Sequence, residues 1–431
     1  MKKRAKLEPH RRLRAYRGEL DPNNKQVTLC QRHADACRHV FNWGLELQAL
    51  LWKEDKENID AMGLSKILTQ LKKHPEGEGG KPWLKGINAW ALQSSLRDLD
   101  RAFEGFFRRC LDPTIKKKGY PKFKSKKSSK LSFRLYGDDV HLTGNGYALR
   151  LPTIGWVRLK KGQEDYFKNI LREGTRVLFA TVSEHAGRWF ISVQVEEDKP
   201  FQAPLNGCVL GVDVGVTNLA TTSDGEYFEN PRAYKKAEKR LRLLQKSVSR
   251  KDKGSKNRTK AIRRLQKQHL RVSNIRKDIL HQVSSAITKP GPSVIGMESL
   301  SNLSKGRRAK SNLDLAFVGL LGLIESKALT RGSLVVKAGR FFPSTKRCAH
   351  CFHKKSEDPG LTYMCEECGW VCERDYNASL NLELVAAGLA VLPSNMEGKK
   401  ACGERSSAFW VRIQSATSLE EAGTQHPRRV G

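Results

Sequence analysis

The chain has 431 residues, 39% of them hydrophobic, and sets 79 Lys and Arg against 45 Asp and Glu for a formal charge of +34. That length accommodates two or three domains, and an excess of one sign repels itself in the compact state unless a polyanion offsets it, so composition points to a nucleic-acid partner. A membrane partner is not expected: the longest apolar run, residues 315–324, is too short to span a bilayer, and the basic start at residues 1–6 is not followed by an apolar signal core. The expected location is the cytoplasm, where the ten cysteines serve as metal ligands or packing residues rather than disulfides.

In chain order, residues 12–20, 130–136, 147–151, 155–160, 176–183 and 189–196 alternate apolar and basic side chains, as the strands of a small barrel or curved sheet do. Helical segments separate the first strand from the rest. The clearest is 87–110, with Leu92, Leu96, Leu99, Phe103 and Phe106 on one stripe and Arg97, Arg101, Arg108 and Arg109 around it. A basic loop marked by Pro and Gly follows at 116–127.

Composition changes near Pro204. Residues 208–214 form a continuous apolar run, as in a buried strand, with hairpin partners at 217–222 and 226–228. Residues 232–277 then carry 19 Lys or Arg and two acids. Leu241, Leu244 and Val248 make one helical stripe there, and Leu265, Val272 and Ile279 another at seven-residue spacing. With a turn at 252–257, this is an antiparallel helical hairpin. A second buried strand is expected at 293–297, a buried helix at 313–329, a strand at 333–341 and a helix at 376–387. After Pro393 no sustained pattern remains, which predicts a disordered tail.

Cys348 and Cys351, then Cys365 and Cys368, form two Cys-x2-Cys pairs thirteen residues apart. Each spacing turns both sulfurs toward one ion, and two such turns complete a tetrahedron of thiolates around Zn2+. Lys346, Arg347, His350 and Lys354 offset the thiolate charge. Cys372, His350 and His353 are spare donors, expected outside the set. Four thiolates leave no open position for substrate, so the ion is structural.

Three carboxylates sit at element ends. Asp213 lies in the apolar run Leu210-Gly-Val-Asp-Val-Gly215, Glu298 ends Val294-Ile-Gly-Met297, and Asp375 stands at the entry to the last helix, a position that also suits an N-cap. A lone acid in an apolar strand is costly to bury, and its ordinary role would be to cap a turn. Three converged carboxylates would repel unless hard cations lay between them. Two Mg2+ ions fit, and would serve phosphodiester hydrolysis.

The run Gly211-Val-Asp-Val-Gly-Val-Thr-Asn-Leu-Ala220, the segment Arg271-Val-Ser-Asn-Ile-Arg-Lys-Asp-Ile-Leu-His281, Phe342-Pro-Ser-Thr-Lys-Arg-Cys348 and Glu373-Arg-Asp-Tyr-Asn-Ala-Ser-Leu-Asn381 resemble TnpB, the accessory protein of IS200/IS605- and IS607-type insertion sequences and a compact relative of type V (Cas12) effectors. Phe41-Asn-Trp43, Leu92-Gln-Ser-Ser-Leu-Arg-Asp-Leu-Asp-Arg-Ala-Phe103 and Tyr120-Pro-Lys-Phe-Lys-Ser-Lys126 are similar to segments of its N-terminal half. The resemblance covers roughly residues 10–390. It implies a multidomain α/β protein with a β-barrel and a helical lobe. The wedge barrel would take residues 1–30 and 116–203, around a recognition lobe at 31–115. An RNase H-like RuvC nuclease would take 204–341 and 372–392, interrupted by a zinc ribbon at 342–371, with the tail at 393–431.

The resemblance further implies an RNA-guided DNA endonuclease of a mobile element. It would carry a guide RNA from the element end, bind double-stranded target DNA beside a short motif and cut both strands at one site. By this resemblance Asp213, Glu298 and Asp375 are the catalytic magnesium ligands. Gln93 matches a polar position near the target-adjacent duplex, and Tyr16, Asn42 and Trp43 are further candidates, each with packing as the alternative. Lys122, Lys124, Arg271 and Arg276 are candidate nucleic-acid contacts. The partner transposase is linked only genetically, and the expected setting is a bacterial or archaeal nucleoid. Two positions depart from the family: Glu373 stands where Asp is frequent, and Glu298-Ser299 where Glu-Asp is frequent. Rival readings are a non-cleaving guided DNA binder, disfavoured by the presence of all three acids, and a transposase. The His-x-His plus Tyr arrangement of the partner transposase is not evident.

Overall fold

The computed structural model describes residues 11–54, 58–126, 129–171, 175–198, 207–215, 217–299, 317–339, 342–357 and 359–388. The chain divides into two units, Met1–Pro200 and Phe201–Gly431. The expected tail from 393 onward lies outside the described residues, as do 313–316 of the expected buried helix and 340–341 of the strand before the cysteines.

In the first unit, β1 (Arg11–Asp21) stops at Pro22, and the next helix begins at once. Asn23 Oδ1 accepts from Gln26 N at 2.9 Å while Gln26 Oε1 accepts from Asn23 N at 3.0 Å, a reciprocal cap. That cap starts α1 (Asn24–Glu54) seven residues before the helical lobe was expected. α2 (Ala61–Leu71) and α3 (Ala89–Leu111) follow, the latter capped by Asn88, whose side chain accepts from Ala91 N. The predicted stripe is the core face: Leu92, Leu96, Leu99 and Phe103 are buried against Val40, Phe41 and Leu45 of α1 and Leu64 and Leu68 of α2.

The strands β2 (Ser132–Tyr136), β3 (His141–Leu142), β4 (Ala148–Leu151), β5 (Gly155–Leu159), β6 (Arg176–His185) and β7 (Arg188–Asp198) join β1 in one sheet of order β2-β6-β7-β1-β5-β4-β3. Every pairing in it is antiparallel. One apolar cluster collects Phe133 and Leu135 from one end of that order and Leu149 and Leu151 from near the other, so the sheet curls around a single core. A short helix missed by the periodicity, α4 (Glu164–Ile170), adds Phe167 and Ile170 to it.

The second unit is built on β8 (Val209–Asp213), β9 (Asn218–Thr222), β10 (Tyr227–Glu229), β11 (Val294–Met297) and β12 (Leu334–Lys337), in the order β10-β9-β8-β11-β12. The first three are antiparallel, and β11 is parallel to both β8 and β12. Between β10 and β11 lie α5 (Ala233–Ser249) and α6 (Lys256–Thr288). On α6, Leu265 and Val272 pack on α5, whereas Ile279 joins the core of the sheet. One evenly spaced stripe therefore serves two partners. The last half of α6 and α7 (Phe317–Thr330) cover one sheet face through Leu280, Val283, Ile287, Leu320 and Ile324.

The other face is covered by α8 (Arg374–Ala386). Side chains alternate along a strand, so Leu210, Val212, Ile295 and Met297 enter the α6–α7 core, and Gly211 and Gly296 face α8. These two glycines are register partners. A Cβ on Gly211 would stand 1.9 Å from the carbonyl oxygen of Ser379, and one on Gly296 would stand 2.1 Å from that of Leu382. The helix backbone thus rests directly on the sheet backbone, a separation only glycine permits.

Gly211→Ala and Gly296→Ala are each expected to cost about 1–3 kcal/mol or more through overpacking against helix backbone, lowering Tm by about 2–4 °C per kcal/mol. Gly322→Ala, exposed on α7 with nothing within 4 Å of its Cβ, should be neutral or stabilising by up to about 1 kcal/mol. Calorimetric scans of the three variants check this, and equal melting of Gly211→Ala and wild type would contradict the close approach.

Burial pushes the Glu383 carboxyl on α8 up to about 7; the Ser223 hydroxyl lowers it in part and the Asp224 charge raises it again. A carboxyl raised in the folded state favours folding most fully below its unfolded value of about 4.3. This contribution is lost as pH rises through about 7. Glu383→Gln should flatten that fall, read as Tm against pH from 4.5 to 8.

Candidate functional site

Residue parity places the acids. Asp213 is two residues beyond Gly211 and Glu298 two beyond Gly296, so both point to the α8 face, at neighbouring ends of two parallel strands. α8 crosses Gly211 at Ser379, and one turn nearer its start is Asp375. A Cβ on Gly215 would lie 3.1 Å from Asp375 Oδ2, which puts that carboxylate at the end of β8. The helix cap is Glu373 and not Asp375; Asp375 occupies the first turn, where a carboxylate meets the positive end of the helix dipole.

Asp213 and Asp375 are each 5% exposed, and Glu298 is half-buried. Burial holds the Asp213 carboxyl well above the usual carboxylate range. The charges of Glu298 and then Asp375 push it further, against the opposing Arg374 guanidinium and the Val214 N–H. Asp213 therefore feels the charge of both other acids. Arg374 donates to Asp375 Oδ1 from Nε at 2.9 Å and from a terminal nitrogen at 2.7 Å, leaving Oδ2 on the Gly215 side. Glu298 Oε1 accepts from Ser344 Oγ at 2.6 Å. An all-carboxylate donor set in which Glu298 and Asp375 raise the proton affinity of Asp213 fits a hard divalent cation, which would relieve that repulsion.

The cysteines close more tightly. Among the described residues, Cys348, Cys351, Cys365 and Cys368 form the metal-type cluster, with all four sulfurs within 4.8 Å of one another. The two turns share one geometry. Phe352 N donates to Cys348 O and Gly369 N to Cys365 O. Cys348 N donates to His353 O and Cys365 N to Trp370 O. Phe352 and Gly369 both take the left-handed conformation, at φ 67° and 70°. Burial pushes the Cys348 thiol up to about 11 and Cys351 higher still. At Cys365 burial also raises, but N–H groups of Cys368 and Glu367 outweigh it and the thiol is lowered. This set fits a soft-to-borderline ion such as zinc. Cys372, His350 and His353 stand outside the cluster, as expected. β13 (Thr362–Met364) enters the second turn and β14 (Val371–Glu373) leaves it, leading directly into α8.

Buried Asn377 and Asn381 of α8 fasten this ribbon to the helix. Asn377 accepts from Ala349 N at 3.0 Å and donates to Arg347 O at 2.8 Å; Asn381 donates to Ser344 O at 2.9 Å and to Arg347 O at 2.6 Å. The sequence reading assigned no role to Ser344, Asn377, Asn381, Arg374 or the glycines. The two asparagines were legible only as polar residues four apart on that helix.

The candidate nucleic-acid contacts divide. Tyr16 hydrogen-bonds Glu197 and stacks edge-on with Tyr166, Trp43 packs on the helical core, and Asn42 spends its amide on Lys124 N and O at 2.8 and 3.0 Å. The Lys124 ammonium lies 3.5 Å from the Phe41 ring centroid. Gln93 is partly exposed, Lys122 and Arg271 are exposed, and Arg276 is partly buried. A cavity of about 490 Å3 between α1, α3 and β2 is lined by Arg38, Lys124, Lys130 and Arg134 with the single acid Asp98, and Nε of both arginines is buried without a hydrogen-bond partner. Among the described residues, no helix is long and apolar enough to cross a membrane.

Three family profiles match the chain: residues 190–301 that described as "Probable transposase" (OrfB_IS605), residues 317–382 that described as "Cas12f1-like, TNB domain", and residues 12–57 that described as "Helix-turn-helix domain". The last segment is here a strand followed by one continuous helix. A protein of Escherichia coli strain K12 named "Putative RNA-guided DNA endonuclease InsQ" is 33% identical over 437 residues, covering 96% of this chain and 98% of its own. A Streptomyces pristinaespiralis protein named "Putative RNA-guided DNA endonuclease" is 32% identical, covering 97% of each. Among solved structures, a chain of a Cas12f1–sgRNA–target DNA complex aligns with TM-score 0.50 at 16% identity, over 84% of this chain and 82% of that one, a likeness of fold.

Metal analysis of the purified chain should find about one zinc per chain, and Cys348→Ser with Cys351→Ser should remove it and lower Tm. A double variant that is metal-free yet melts as wild type does would contradict a structural ion.

Proposed function

We propose, since this chain belongs to the OrfB family of IS605-type elements, that it is an RNA-guided DNA endonuclease whose single cutting site is made by Asp213, Glu298 and Asp375. The fold of the second unit is that of a RuvC-like nuclease interrupted by a four-cysteine ribbon, and the first unit is a curved sheet carrying a helical lobe. One observation carries the reading: the alternation of β8 and β11 and the docking of α8 bring three carboxylates from distant parts of the chain to one strand end, where they raise the proton affinity of Asp213.

The three carboxylates would hold two Mg2+ ions, which supply a water of lowered pKa and charge stabilisation for the leaving oxygen of a phosphodiester. The chain's own residues do the rest. Asp213 offers a buried carboxylate at the strand end, Arg374 keeps one oxygen of Asp375 occupied and its charge partly balanced, and Ser344 steadies Glu298. Water attacks directly, and no side-chain nucleophile is needed. A shared site for both strands implies sequential cuts, the displaced strand first and then the target strand.

Guide pairing would read sequence while the protein reads backbone and a short adjacent motif. The exposed cations of α5 and α6 and the cation-lined cavity beside Lys124 support contacts to RNA and DNA phosphates. Gln93, Lys122 and Arg271 have side chains open to such contacts; Tyr16, Asn42 and Trp43 are better explained as packing and tethering residues. The guide would come from the element end, and the protein would act in the cytoplasm on nucleoid DNA.

The test is cleavage by protein purified with its co-expressed RNA, on a plasmid carrying the matching target beside a randomised flank. Mg2+-dependent double-strand breaks are expected, falling by at least about 10³-fold in Asp213→Ala, in line with loss of a major charge-stabilising group. Tight binding without cutting would instead identify a guided DNA binder, and joined donor and target DNA a transposase.

A further inference from the structure

We propose that Ser344 is a positioning residue for the cutting site, and that it makes the geometry of Glu298 depend on the cysteine ribbon. This rests on the reading of Glu298 as a metal ligand. Glu298 is one residue past the end of β11, so the sheet fixes its backbone only from one side. Its side chain is half-buried and has three rotatable bonds before the carboxylate, freedom that a metal site must suppress.

The Ser344 hydroxyl supplies that restraint, donating to Oε1 at 2.6 Å and leaving Oε2 for the cation. Ser344 is itself only 3% exposed and cannot drift. Its carbonyl accepts from Asn381 Nδ2 at 2.9 Å. Its turn is closed by Arg347 N donating to Pro343 O at 3.0 Å, and the next residue but three is Cys348. The chain of support therefore runs from the sulfur cluster through Arg347 and Ser344 to Glu298. Asn381, on the helix that delivers Asp375, holds the carbonyls of both Ser344 and Arg347. One short segment thus references two of the three acids to each other. Hydrogen bonds that orient a metal's ligands are worth about 10- to 100-fold in affinity when removed.

The experiment titrates Mn2+ into the full chain free of RNA, reading the loss of the free-ion electron paramagnetic resonance signal, and in parallel measures the Mg2+ concentration for half-maximal cleavage by the RNA complex. Ser344→Ala should weaken Mn2+ binding and raise the Mg2+ requirement by about 10-fold or more, with zinc content and target-DNA binding unchanged, and Ser344→Thr should return within about threefold of wild type. Wild-type metal dependence in Ser344→Ala overturns the proposal. Should Ser344→Ala lose its zinc, Ser344→Cys, near in size and a weaker donor, replaces it in the same titration with the same two outcomes. Glu298→Gln separates the levels of inference. If it cuts and binds Mn2+ as wild type does, Glu298 is not a ligand and both readings fall; if it is inactive while Ser344→Ala is unaltered, only the role of Ser344 falls.

Discussion

The contact between the backbone of α8 and the backbones of β8 and β11, made possible by Gly211 and Gly296, is what the proposed cutting site depends on. With side chains at those positions the helix would stand off by the width of a methyl group or more. Asp375 would then no longer reach the end of β8. The glycines also enforce polarity: the apolar members of both strands turn to α6 and α7, and the strand-end acids share the face that α8 covers. Fold and site are thus one packing decision.

Electrostatics work in two opposite senses in this chain. Its charge of +34 suits a polyanion, and the 232–277 hairpin concentrates 19 cations against two acids. At the strand ends the logic inverts, with Asp213 placed where burial and the charges of Glu298 and Asp375 oppose its ionisation. Neither arrangement favours the isolated protein. Each would be relieved by the partner proposed for it, phosphates for the hairpin and hard cations for the acids. The Arg374–Asp375 pair is the local compromise, holding one oxygen of the trio without neutralising the set.

The cysteine ribbon belongs to the same construction. Its two turns repeat one hydrogen-bonding scheme, as expected when each presents two sulfurs to a single ion. Its attachment to α8 through Asn377 and Asn381 is buried and polar, which fixes position more sharply than apolar packing does because each amide has a specified partner. Strand β14 then continues into α8 without a linker, so the ribbon's orientation is also that of the helix start.

The sequence by itself determined what is local. Paired cysteine spacing announced the metal ribbon, apolar runs ending in acids marked β8 and β11, and the leucine stripe of α3 gave its buried face. Such signals survive because they depend on period and on covalent spacing alone. The extent of α1, the helix α4 and the division of the α6 stripe between α5 and the sheet were not readable, since an evenly spaced stripe does not name what packs on it. Tyr16, Asn42 and Trp43 looked available for recognition and are engaged within the protein, because a polar side chain's partner across the chain leaves no mark in its neighbours. Only the tertiary structure decided that Gly211 and Gly296 admit a helix, that two asparagines and Ser344 join ribbon, helix and strand end, and that acids up to 162 residues apart come near enough for Glu298 and Asp375 to act on Asp213. Those facts arise from backbone approach and hydrogen bonds between remote segments, which no local pattern encodes.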